Sequence, residues 1–151
     1  MTGEMASFQA AVAVLHKGEN LLMIKRKVRE GDPWSGDVAF PGGFRKDGES
    51  GEETAARECE EETGIRPGGM VGIGPFRTHL SGLTVMAYFG STDMSEPVAG
   101  DEVDSAFWVP VSELVESDSR YLWNGLNIWG LTYRILSTIL SEKERFLNAK
   151  L

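Results

Sequence analysis

The segment that most limits what this chain can fold into runs from Ser50 to Gly64. Ser50 is followed three residues later by Glu53, the signature of a capping box at a helix start. Residues 51–63 hold helix formers and no proline, and Gly64 stands where a left-handed C-terminal residue belongs. A helix is therefore predicted over residues 51–63, with an unusual side to it. Glu58, Glu61 and Glu62 stand at i, i+3 and i+4, so they share one face. Each exposed like-charge pair at that spacing costs about 0.2–0.5 kcal/mol. Such a patch is either a solvated acidic face, as charge runs usually are, or a seat for a hard cation. Oxygen donors of this kind select Mg²⁺ or Mn²⁺, which keep waters and take substrate phosphates as further ligands.

The flanking sequence supplies strands. Residues 8–15 and 20–25 read as a hairpin turning at residues 16–19. The charged stretch 26–37, with Gly31, Pro33 and Gly36, reads as a loop. Residues 38–40 form a short strand, and Pro41-Gly42-Gly43 is expected to turn the chain sharply before the helix. Residues 70–78 and 83–91 make a strand pair, residues 103–109 a further strand, and residues 110–114 a short helical turn. A long final helix is expected over residues 128–146, where Ile128, Leu131, Ile135, Ile139 and Leu140 recur at near-helical spacing. Strands mixed with two helices imply an α+β or layered α/β/α class, and 151 residues suit one domain.

Charge and cysteine usage narrow the partners. A formal net charge of −8 disfavours binding to a nucleic-acid polymer, while a small anion bridged by a divalent cation is still compatible with it. The apolar run at residues 10–15 is too short to span a bilayer, and residues 1–7 do not read as a signal peptide. Cys59 is the only cysteine, which excludes an intramolecular disulfide and makes the cytoplasm the expected location.

From Gly43 the chain reads GFRKDGESGEETAARECEEETGI. This resembles the Nudix box, G-x5-E-x7-R-E-U-x-E-E-x-G-U with U a bulky apolar residue. Gly43, Glu49, Arg57, Glu58, Glu61, Glu62, Gly64 and Ile65 take the fixed places, and Cys59 fills the first U position. The resemblance implies a single Nudix α/β/α sandwich over residues 1–151 with a mixed central sheet. It implies an enzyme in which water attacks phosphorus, with Mg²⁺ or Mn²⁺ polarising phosphoryl oxygens. By this analogy Glu58 and Glu62, on an exposed helix face, are the metal ligands. Glu61 is a ligand or an outer group, and the carbonyl of Gly43 or its neighbour completes the site. Glu49 holds Arg57 through a charge-assisted bond. A further carboxylate acting as base is expected before the strand at 103–109. Glu102 is preferred there over Asp101 and Asp104, against the plain alternative of a solvated loop carboxylate.

Two regions outside the box resemble the coenzyme A pyrophosphatase branch. One is LLMIKRKVREGDPWSGDVAFPGG at residues 21–43, the other NIWGLTYRIL at residues 127–136. Lys27, Val28, Asp32 and Trp34-Ser35 depart from that branch's pattern. The resemblance implies coenzyme A or an acyl derivative as substrate, cut to 3′,5′-ADP and a 4′-phosphopantetheine product. ADP-ribose, a dinucleotide or a nucleoside triphosphate is the alternative, and a nucleotide-sensing module without turnover is the rival from another class. Arg26, Lys27 and Arg29 are candidates to grip a phosphate, and Trp34 and Phe44 to stack on a base or cover an apolar chain. A homodimer is a possible assembly.

Overall fold

The computed structural model describes residues 8–31, 36–78, 82–93 and 96–147. Trp34, expected to stack on a substrate, lies outside the described residues, as does His79, to which the sequence gives no role.

Seven strands form one mixed sheet. In chain order they are β1 (Ala10–Lys17), β2 (Asn20–Arg26), β3 (Val38–Ala39), β4 (Gly42–Phe44), β5 (Val71–Arg77), β6 (Thr84–Ser91) and β7 (Val103–Pro110). The order across the sheet is β3-β2-β1-β6-β5, with β4 also pairing β1 and β7 also pairing β2. The β1–β6 ladder is parallel and runs from Ala10 opposite Val85 to His16 opposite Ser91, whereas the other pairings are antiparallel. A small second sheet joins β8 (Val115–Glu116), β9 (Tyr121–Trp123) and β10 (Leu126–Ile128).

Side chains alternate along β1 and divide the core into two layers. Ala11, Ala13 and Leu15 face the helix α1 (Gly51–Thr63), where they meet Ala55 and Cys59. Val14, with Leu21 and Met23 of β2, faces the other way, onto Ile135, Leu136 and Ile139 of the helix α2 (Gly130–Ser141). The small residues on the α1 side let that helix lie close to the sheet. A short helix α3 (Lys143–Phe146) ends the described chain and stacks Phe146 edge-on against Phe89.

Two expectations need correction. The final helix does not run over residues 128–146. Asn124 and Gly125 both have positive φ (51° and 77°), the geometry of a tight hairpin turn, so Ile128 belongs to β10. Trp129 is extended, the helix starts at Gly130, and a non-helical Glu142 (φ −126°, ψ 44°) separates α2 from α3. Nor is the whole of Pro41-Gly42-Gly43 a sharp turn, since the chain bends at Pro41 alone. Gly42 and Gly43 are strand residues paired with Val12 and Ala11.

Candidate active site

β1 forks along one edge. Its end at His16–Lys17 pairs β2, and its start at Ala10–Val12 pairs β4. The Ala13 N–H bridges the fork by donating to the Pro41 carbonyl at 2.8 Å. β4 is thereby laid against α1, and the two glycines make the approach possible for different reasons. A Cβ on Gly42 would stand 2.3 Å from the Ala11 carbonyl oxygen, inside the sheet. A Cβ on Gly43 would stand 2.5 Å from Cδ of Glu58. Gly43 is therefore required by the carboxylate above it and not by a turn.

The helix starts as its sequence dictates. Ser50 accepts from the Glu53 N–H, and Glu53 accepts from the Ser50 N–H. Glu49, just before it, accepts at one oxygen from Arg57 Nε at 2.6 Å and at the other from Arg57 Nη2 at 3.1 Å. The Lys46 N–H and the Thr54 hydroxyl donate to the same carboxylate. The Arg57 bond, foremost among these, holds Glu49 down to about 2. Arg57 also donates to Glu58 Oε2 at 2.9 Å and to the Phe44 carbonyl at 3.1 Å, and only distantly to Glu61 at 3.5 Å. One guanidinium thus ties the loop, β4 and the acidic face together, and these bonds lock its positive charge in place.

The acidic face is not the open surface expected of it. Glu61 is exposed, but Glu58 is half-buried and Glu62 is only 9% exposed. The Gly42 N–H donates to Glu62 Oε1 at 3.0 Å through the fork in the sheet. Burial pushes Glu62 up to about 8, against the lowering effect of that hydrogen bond, and the adjacent Glu58 carboxylate raises it further. Sequence reasoning missed this pairing, and its only trace there is the doubled glycine before Phe44.

A second acidic group reaches the site from outside the helix. The Val98 and Gly100 N–H groups donate to the Thr63 and Glu62 carbonyls, and a Cβ on Gly100 would lie 2.0 Å from the Glu61 carbonyl oxygen. This docks the segment before β7 onto the end of α1 and brings Glu102 to the pocket. There it is paired with Arg29. Asp104 pairs with Lys25 at 3.9 Å instead. The cavity, about 480 Å³, brings Arg26, Lys27, Arg29 and Phe44 to the same place as Gly43, Arg57, Glu58, Glu61, Glu62 and Glu102. Acidic and basic side chains face each other across it. Phe44 is 64% exposed.

The donors suit a divalent cation. Glu58 and Glu62 are hard oxygen donors, and burial, with the Glu58 charge adding to it, favours a proton on Glu62 that a cation would replace. Among the described residues no three His, Cys, Asp or Glu side chains converge as a ligand cluster. Small hard cations of this kind take few protein oxygens and complete their shell with waters and phosphate oxygens.

A family model of the NUDIX domain matches residues 7–125. The chain belongs to the NUDIX family. An ADP-ribose pyrophosphatase of Methanocaldococcus jannaschii is 43% identical over 58 residues, 38% of this chain and 32% of that protein. The chain thus spans about a third of the length of this curated relative. Among solved structures, a MutT/nudix family protein from Enterococcus faecalis shares 20% identity at a TM-score of 0.67, covering 91% of this chain and 64% of that one. A bifunctional NMN adenylyltransferase/ADP ribose pyrophosphatase from Francisella tularensis, complexed with AMP and a Mn ion, has a TM-score of 0.68 at 20% identity. It covers 91% of this chain and 42% of that one. At these identities the structural likeness shows the NUDIX fold, a mixed sheet with helices in the α+β class. NUDIX hydrolases generally use divalent metal ions, and the Francisella tularensis structure holds AMP with a Mn ion. Among the described residues no helix is long and apolar enough to cross a membrane.

Proposed function

We propose that this NUDIX chain hydrolyses the pyrophosphate link of a nucleoside diphosphate derivative. The observation that carries the reading is the Glu58–Glu62 pair on one face of α1, with Glu62 buried beside Glu58, in one cavity with Arg26, Lys27 and Arg29. Glu58 and Glu62 hold Mg²⁺ or Mn²⁺, and the Gly43 carbonyl and the exposed Glu61 are its further candidate ligands. The cation supplies charge neutralisation at the phosphoryl oxygens and acidifies the attacking water.

The chain's own residues do the rest. Glu49 holds Arg57, and Arg57 holds Glu58 facing the cavity, so both are positioning groups. Arg26 and Lys27 bind phosphate oxygens, and Phe44 covers the organic part of the substrate. Glu102 accepts the proton of the attacking water once substrate phosphate draws Arg29 away from it. The reducing cytoplasm is the proposed setting, because Cys59 is the single cysteine and is buried.

ADP-ribose is the leading substrate, since a curated relative 43% identical over 58 residues is named for it. Coenzyme A is the second reading, favoured by the resemblance of residues 21–43 and by the basic side chains beside the acidic pair. The test is turnover of ADP-ribose, coenzyme A and dephospho-coenzyme A with chelator, Mg²⁺ or Mn²⁺. Cleavage that depends on the cation supports hydrolysis, and the preferred compound names the substrate. Saturable nucleotide binding with no turnover in any condition would make the chain a sensor instead.

A further inference from the structure

A second cavity, about 510 Å³, lies beside the β9–β10 hairpin and is lined by Asp37, Arg120, Leu126, Asn127 and Trp129 among others. Ile128 is fully buried and anchors the hairpin to the core. By strand alternation its neighbours Asn127 and Trp129 then point the other way, into the cavity. Trp129 is 39% exposed, an aromatic surface that folding alone does not consume. Arg120 Nη1 donates to Asn127 Oδ1 at 3.4 Å, which orients the amide.

The chemistry of this wall differs from that of the acidic pocket. It pairs an indole face with an amide, one guanidinium and one carboxylate. With one carboxylate and one guanidinium the wall carries no net charge to hold a phosphate, whereas a flat, uncharged heteroaromatic ring finds a stacking surface and hydrogen-bonding groups. The two cavities are neighbours through the backbone. The Arg26 N–H donates to the Asp37 carbonyl at 2.9 Å, and Arg26 lines the acidic pocket while Asp37 lines this one.

We infer that this cavity is the subsite for the nucleobase of the substrate, with Trp129 as its stacking face and Asn127 and Asp37 reading the ring edge. The inference deepens the proposed function and rests on its nucleoside diphosphate reading. It also gives a use to Asn127 and Trp129 of the motif at residues 127–136, whose Ile128 is core.

The test is calorimetric binding of AMP and of ribose 5-phosphate, in Mg²⁺ buffer, to the wild-type chain and to Trp129→Ala, Trp129→Phe and Asn127→Ala variants, each checked by thermal melting. AMP should bind more tightly than ribose 5-phosphate. Trp129→Ala should weaken AMP about 10-fold or more while sparing ribose 5-phosphate, and Trp129→Phe should retain most of the affinity. With ADP-ribose as substrate, Trp129→Ala should raise KM with little change in kcat. Equal binding of the two probes, no measurable AMP binding, or AMP binding unchanged in Trp129→Ala overturns the subsite. Binding as expected with no hydrolysis of any nucleotide would leave the subsite standing and remove the catalytic reading, so the two fail separately.

Discussion

At the start of α1 the Glu49 carboxylate is surrounded by donors and is held at about 2. At its end the Glu62 carboxylate is buried beside Glu58, accepts from the Gly42 N–H, and is raised by burial to about 8. Both lie along the same acidic run, eight and four residues either side of Arg57 and Glu58. The difference shows where the chain spends its positive charge. The Arg57 guanidinium satisfies Glu49, whereas Glu62 has the Gly42 N–H and the field of Arg26 set against burial and the Glu58 charge, the arrangement proposed above to receive a cation. A fold that wanted only a stable helix would have no reason to keep the second arrangement.

The largest effect should be a pH-dependent affinity for cation. Between pH 4.5, the ordinary carboxylate value, and about 8, the folded chain holds a proton on Glu62 that the unfolded chain has lost. Stability of the metal-free protein should therefore fall as pH rises through that window and level off above it. Glu49 works on the other side. Its contribution is complete above 4.5 and disappears as pH falls toward 2. Mg²⁺ must displace the Glu62 proton, so its affinity should rise by up to about tenfold per pH unit within the window. Calorimetric titration across pH measures this, and Glu62→Gln should flatten it. A pH-independent Kd in the wild-type chain would remove Glu62 from the ligand set.

Next in size is the separation of chemistry from fold. Glu58→Gln keeps an oxygen for Arg57 but loses the charge, so we predict a kcat at least ~10²-fold lower with a melting temperature close to wild type. Near-native turnover would show that Glu58 is not a ligand.

The two glycines sharpen the contrast further. Gly42→Ala drives a methyl into the backbone of β1 and should cost about 1–3 kcal/mol in urea unfolding. Gly43→Ala meets only the movable end of Glu58, so it should cost less than about 1 kcal/mol while lowering turnover. Equal losses of stability would mean that the sheet, and not the carboxylate, fixes the second glycine. The smallest effect belongs to Arg29→Ala. Arg29 and Glu102 are exposed partners, and their separation should shift the urea midpoint by less than about 1 kcal/mol in free energy.

Much of this was legible in the chain. The capping box and the helix bounds follow from spacing, while the contact of Glu49 with Arg57 is legible only through the Nudix resemblance, because Glu49 precedes the helix. The strands 71–77, 84–91 and 103–110 follow from alternation and length. What was not legible depends on tertiary contact. Helical periodicity carried the final helix back to residue 128, although Asn124-Gly125 marked a hairpin that a single-period reading passes over. The burial of Glu62 and the role of Gly43 could not be read from spacing, since both arise where β4 crosses over α1. Glu102 was named from its place before a strand, but nothing local shows that Gly100 packs against the Glu61 carbonyl and carries it there.

The parallel β1–β6 ladder has a kinetic consequence. It joins Ala10 to Val85, residues roughly 75 positions apart, and the intervening chain contains Arg26, β4 and all of α1. Closing so long a loop is entropically slow, and little native contact rewards it until the ladder forms. The helix can therefore form early as a local element. The fork that delivers the Gly42 N–H to Glu62 requires β1 to be seated. Refolding should pass through a helical stage that binds no cation, and binding competence should appear only in the slower, sheet-closing phase.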